Sequence, residues 1–344
     1  MGNRKKLLIT VIAVLAVACI GAVASSAAGV LRDHKRIIRI SDGQPEEHPD
    51  NVGLEAFKEY VEENLGDKYE VQIYPNELLG SSQKAIELVQ TGAIDYVVAS
   101  TSNLETFNDV YQIFSIPYLF TGEDGFTKVM NDDAFMKKIY DSTEESGFEA
   151  VTWFKAGVRN IYTTKPVHSV RDLKGMKIRV QASPTNVKMI DMLGASAVPM
   201  SYGEVYTAIQ QGVVDGAENS EMALTTMKHG EVAKYYTYTQ HQIVPDMLVA
   251  NASFLNGLPE DERKIFDEAA RIANEKEIEA WDKQIEEAKK TAQDEMNVHF
   301  EDVDITPFRE KVLPLHEEVL KSNPKLRPYY DEIQKIQGSE GGAK

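Results

Sequence analysis

Apolar positions fall along this chain in short alternating runs separated by helical stripes. Arg36 to Ile40 alternates as a strand, followed by a polar loop from Ser41 to Pro49. Val52 to Asn64 places Leu54, Phe57, Tyr60 and Val61 on one face, the spacing of an amphipathic helix. Tyr69 to Tyr74 alternates as a second strand that stops at Pro75. Ser82 to Thr91 is a helix ended by Gly92, and Ile94 to Ala99 is a short buried strand. Strand and helix alternate, which predicts an α/β fold with crossover connections.

The pattern occurs twice. AIELVQTGAID (Ala85 to Asp95) and VYTAIQQGVVD (Val205 to Asp215) both give an amphipathic helix, a glycine, two apolar residues and an aspartate. Gly92 and Gly212 suit the left-handed position after a helix end, and Ser201 with Glu204 forms a capping box ahead of the second copy. Two α/β lobes of like construction follow, against the alternative of two unrelated amphipathic helices. From Glu260 to Asn297 there is no Gly or Pro, and Ile265, Ala269, Ile272, Trp281, Ile285, Ala288 and Ala292 keep a helical stripe. One helix of this length spans about 57 Å and reaches across both lobes. A break between Ile272 and Trp281 would give two helices instead. The glycine-rich end after Lys335 reads as a disordered tail.

Composition narrows the function classes. The formal charge is −17, and setting aside Arg4, Lys5 and Lys6 leaves a body near −20. Such a body has no footprint for a nucleic-acid backbone or an anionic lipid surface, so any anion must be held by local positive groups in a pocket. The basic start Met1 to Lys6 and the uncharged run Leu7 to Val23 form an export leader. Within it, LAVAC (Leu15 to Cys19) resembles a lipobox that would make Cys19 a lipidated first residue. Cleavage after Ala24 and an uncleaved anchor are the alternatives, and all three place the body outside the cytoplasm. Cys19 is the only cysteine, and the seven histidines have no close pairing, so no disulfide, metal site or cofactor is expected.

No G-x-S-x-G, P-loop, G-x-G-x-x-G or H-E-x-x-H occurs. Lys177 to Val180 alternates as a strand with Arg179 near its end, where ligands of α/β sheets bind. A guanidinium there can hold a carboxylate by two parallel hydrogen bonds. Arg159, before another extended stretch, offers a second donor. Structural ion pairs are the competing account of both arginines. An exported enzyme would need an acid/base pair, for which Glu218 beside Asn219 is the one ionisable candidate.

The segment Gly157 to His241 resembles the extracytoplasmic receptors of TRAP-type importers. The resemblance is carried by GVRNIYTTKPVHSVRDLKGMKIRV, LGASAVPMSYGEVYTAIQQGVVDGAEN and EVAKYY, and IYPNELLGSS, LVQTGAIDYVVAS and IFSIPYLF extend it over Arg36 to Asn251. It implies an α/β, two-lobed periplasmic-binding-protein-like fold with hinge strands and a long C-terminal helix bracing both lobes. The leader would be 1–28, lobe I 36–155 with 244–258, and lobe II 156–243. A long helix and helical C-terminal region would occupy 259–335, and a disordered tail 336–344. The resemblance places a small carboxylate ligand on Arg179, with Arg159 and Asn219 beside it and Tyr202 covering it. Ser82 and Ser100 form the opposite wall. It implies a monomer that delivers its solute to TRAP membrane permease subunits and is not an enzyme, although a sensor receptor with another partner would look the same. Sialate-binding members carry acidic residues where this chain has Ser82 and Ser100. GAENSE, STSNL and EEHP resemble hexuronate-binding members instead, which adds Gln44, His48 and Asn103 to the candidate site. A four-carbon dicarboxylate is the alternative solute.

Overall fold

The computed structural model describes residues 35–338. The leader with Cys19, and residues 339–344, lie outside the described residues. Eleven strands form two sheets: β1 (Arg36–Ser41), β2 (Tyr69–Tyr74), β3 (Tyr96–Ser100), β4 (Phe148–Phe154), β5 (Val158–Thr163), β6 (Lys177–Val180), β7 (Ser196–Pro199), β8 (Gly216–Asn219), β9 (Tyr235–Ile243), β10 (Asp246–Asn251) and β11 (His299–Asp302). The first sheet has the order β2-β1-β3-β10-β4 and the second β11-β9-β5-β8-β6-β7. Each contains three parallel strands (β2-β1-β3 and β7-β6-β8) flanked by an antiparallel one, β10 or β5.

The repeat read from the sequence extends to individual hydrogen bonds. Gly92 and Gly212 are left-handed, at φ 72° and 71°. Behind them Ala93 N–H donates to Leu88 O and Val213 N–H to Ala208 O, both at 2.9 Å. Asp95 accepts Arg39 N–H at 2.9 Å and returns its own N–H to Arg39 O. Asp215 does the same with Lys177, at 2.8 Å. The match aligns Arg39 with Lys177, so Ser41 in the first lobe stands where Arg179 stands in the second.

The helix after the first polar loop begins at Pro49, three residues earlier than its apolar stripe suggests. His48 Nδ1 accepts Asp50 N–H at 3.2 Å and caps it, and Pro49 suits the first turn. Its Gly53 lies against the long helix, where an added Cβ would stand 2.7 Å from Ala273 O. The long helix is unbroken from Glu260 to Asp294, 35 residues or about 52 Å. Phe266, Ala269, Ala270 and Ala273 are buried in the core of the first lobe, Trp281 against Met222, and Ala292 in the core of the second. It therefore braces both.

Two expectations are corrected. The C-terminal region is not wholly helical: β11 adds a strand to the second sheet, pairing parallel with Tyr235 to Tyr238 and packing Phe300 on Tyr236. Order also runs past Ile336, because Gln337 is buried, accepts Thr121 N–H at 2.9 Å and donates to Leu119 O at 3.1 Å.

Candidate functional site

The chain passes between sheets at Lys155 to Gly157 and at Val244 to Pro245, and the cleft lies beside these crossings. Gly157 is left-handed at φ 71°, and a Cβ there would sit 2.7 Å from Trp281. Facing strand ends supply the cleft walls: β1, β3 and β10 from one lobe, β5, β6 and β8 from the other. All nine sequence-derived candidates line one cleft of about 730 Å³, mouth included: Gln44, His48, Ser82, Ser100, Asn103, Arg159, Arg179, Tyr202 and Asn219. Ser82 and Tyr202 each stand ten residues before the glycine that ends their helix, so the duplicated frame presents the same position from both sides.

The two arginines differ in their commitments. Arg159 Nε donates to Glu218 Oε2 at 2.6 Å, and Nη2 donates to Glu218 Oε1 and to Glu218 O. Its Nη1 donates to Asn219 Oδ1 at 3.2 Å. This is the structural ion pair that the sequence left as the competing account, and Arg159 still lines the cleft. Glu218 is fully buried, which by itself would raise its pKa, but Arg159 and His241 hold it down to about 2. Ionised and bonded to Arg159, Glu218 has no proton to give as a general acid near neutral pH.

Arg179 is only 3% exposed. Its Nε and Nη2 both donate to Met200 O, at 3.1 and 2.9 Å, and no carboxylate pairs with it among the described residues. Tyr202 lies 5.5 Å from the guanidinium and accepts Asn219 Nδ2–H at 3.2 Å. Behind Tyr202 stands His229, edge-on at 5.5 Å and bonded to Tyr162. A buried cation without a partner is costly, and Arg179 presents its remaining edge to the cleft.

On the other wall His48 is held at a pKa of about 4 by burial, with Asp42 and Asp246 opposing that shift. It is therefore neutral. Since its Nδ1 accepts from Asp50, the proton is on Nε2. Sequence reasoning missed Asp42, Glu77, Gln181, Asp246 and Trp281, which also line the cleft. Gln181 was legible, being two residues past Arg179 and just beyond the end of β6. Gln44 Oε1, Glu77 Oε1 and Gln181 Oε1 are buried and bonded to nothing.

Asp42, Asp50, Asp246 and Glu277 converge behind this wall from the first loop, the capped helix, β10 and the long helix. Burial raises all four, with Asp246 at about 7 and Asp50 at about 8. Neither oxygen of Asp50 has a hydrogen bond, although Oδ1 lies 3.2 Å from His48 Nδ1. Between roughly pH 4 and 8 these four carboxyls hold protons that the unfolded chain has released, which lowers stability as pH rises, while the buried histidines His48, His229, His241 and His316, whose pKa values burial lowers, oppose that slope below about pH 6.5. Above the histidine range the carboxyls act alone, so the melting temperature is expected to be higher at about pH 7 than at about pH 9, and Asp50→Asn is expected to flatten the difference. Equal slopes for wild type and variant in differential scanning fluorimetry would contradict this.

Two matched lobes closing on a buried, unpaired guanidinium define a receptor for a small anion. Residues 40–323 match the bacterial extracellular solute-binding protein family 7, and the chain belongs to that family. A TRAP periplasmic solute binding protein from Anaerococcus prevotii, solved with bound α/β-D-glucuronate, is 53% identical with a TM-score of 0.87; the match covers 90% of this chain and all of that one. One from Sulfitobacter sp. NAS-14.1 with bound β-D-galacturonate is 30% identical with a TM-score of 0.84, over 87% of this chain and all of that one. The uncharacterized protein YiiZ of Salmonella typhimurium is 40% identical over 287 residues, covering 83% of this chain and 88% of that protein.

Proposed function

We propose that this protein is the receptor of a TRAP-type importer, exported by its leader, anchored outside the cytoplasm through Cys19, and acting as a monomer. It captures a hexuronate, glucuronate or galacturonate, and hands it chemically unchanged to membrane permease subunits. The observation that carries the solute class is the mismatch of unpaired groups in the cleft. One buried cation, Arg179, asks for one carboxylate, while Gln44, Glu77 and Gln181 each leave an acceptor oxygen without a donor. A solute bearing one carboxylate and several hydroxyls satisfies all of them. A four-carbon dicarboxylate would bring a second negative charge toward Glu77 and few hydroxyls for Gln44 and Gln181. The structures with glucuronate and galacturonate support the same reading.

A ligand that binds only the folded state raises its melting temperature by mass action, by about 2.7 kcal/mol of stability at one hundred times the dissociation constant. D-glucuronate or D-galacturonate is expected to produce the largest shift in a panel with succinate, malate and sialate. A larger shift with succinate or malate would overturn the hexuronate assignment.

A further inference from the structure

The turn after β2 carries a feature that the solute site alone does not explain. Asn76 and Glu77 are consecutive residues in the left-handed region, at φ 57° and 54°, and neither is glycine. That conformation is costly for side chains with a Cβ and persists where surrounding contacts enforce it. Here Asn76 N–H donates to Gln44 O at 2.8 Å and Glu77 N–H to Asp42 O at 3.1 Å, which pins the turn to the first loop of the cleft. The strained turn aims the Glu77 side chain out of its own lobe. Glu77 Oε2 accepts the backbone N–H of Gly203, 126 residues away on the opposite wall, at 3.1 Å. Gly203 follows Tyr202, the ring that lies over Arg179. A Cβ on Gly203 would stand 2.8 Å from the same Glu77 oxygen, so the approach needs a residue without a side chain there.

Other bonds also cross between lobes. Glu105 accepts from Ser183 and Thr185, and Asn186 donates to Ser102, in a network that continues to Gln242 at the end of β9. Those contacts adjoin the hinge strand and the shared apolar core. The Glu77–Gly203 bond instead joins the two walls of the solute cleft, so it forms only when those walls meet. We propose that Glu77 is a closure latch: its Oε2 locks onto Gly203 N–H as the lobes come together, holding Tyr202 over the bound acid and slowing its escape. This rests on the two-lobed receptor reading and not on which acid is bound.

A contact made in the closed state and absent from the encounter acts on release more than on capture. Gly203→Ala is the selective test, because its new Cβ displaces only the flexible end of Glu77 and its backbone φ is not left-handed. Glu77→Ala removes the latch from the other side, but it also removes the oxygen offered to the solute, so it serves only in the solute-free measurement below. With D-glucuronate in stopped-flow tryptophan fluorescence, Gly203→Ala is expected to release the acid about ten-fold faster than wild type, with association within about two-fold. Release within two-fold of wild type in Gly203→Ala, with unchanged melting temperature, would overturn the latch. A ligand-independent reading comes from single-molecule energy transfer between dyes on Thr91→Cys and Gln211→Cys, exposed positions of opposite lobes. The latch predicts a smaller closed fraction in each variant than in wild type without any solute. Identical closed fractions would contradict it. Wild type that ignores D-glucuronate yet shows this difference would refute the solute assignment and leave the latch standing.

Discussion

Arg179→Ala is expected to weaken solute binding by about thirty-fold to several-thousand-fold. Truncating one partner of a buried charged pair costs about 2–5 kcal/mol, and each 1.4 kcal/mol is about ten-fold in affinity. The protein body is strongly acidic and repels an anion at long range, so capture depends on this fixed donor. Arg179→Lys keeps the charge but cannot both hold Met200 O and present a planar edge to a carboxylate, so it too should lose most of the affinity. Both variants are expected to stay folded, because wild-type Arg179 gives up only two bonds to one carbonyl. Calorimetry on folded Arg179→Ala that found affinity within three-fold of wild type would refute this account of the site.

Arg159→Ala should show the opposite balance, a loss of stability greater than its loss of binding. It strands Glu218, fully buried and ionised, without the guanidinium that holds its pKa near 2. Removing one partner of a buried pair costs about 3–5 kcal/mol. The melting temperature should fall well below that of Arg179→Ala, and Glu218→Gln added to Arg159→Ala should recover part of the loss, since the two residues are coupled. If Arg159→Ala melts with wild type and binds as poorly as Arg179→Ala, the two arginines have been assigned the wrong roles.

The residues that sequence reasoning placed well are those whose roles depend on local pattern. Gly92, Gly212, Asp95 and Asp215 mark the duplicated frame, because a helix end and the strand after it are written in a few consecutive positions. Arg179 stood at a strand end, but its choice as the carboxylate holder came from the resemblance to TRAP receptors. What separates it from Arg159 is not local. Glu218 reaches Arg159 through the antiparallel pairing of β5 with β8, which sets Ile161 opposite Glu218, and no spacing along the chain shows that pairing. Asp50 reads as an ordinary first-turn acid, yet it is buried because Gly53 lets the long helix approach its helix closely. His299 to Asp302 shows little strand signal, and it becomes β11 through the aromatic surface offered by Tyr236 and Tyr238. Glu77 sits in a turn whose left-handed residues are not glycines, so its direction across the cleft had no mark in the sequence.

The central claim is that one hexuronate lies between the lobes with its carboxylate on Arg179. A crystal structure of the protein grown with D-glucuronate tests it most directly. The account predicts a carboxylate oxygen at about 2.7–2.9 Å from the cleft-facing nitrogen of Arg179, as charge-assisted bonds require, with sugar hydroxyls donating to Gln44, Glu77 and Gln181. A well-ordered glucuronate whose carboxylate lies against the Ser82–Ser100 wall, leaving Arg179 without an anion, would contradict it.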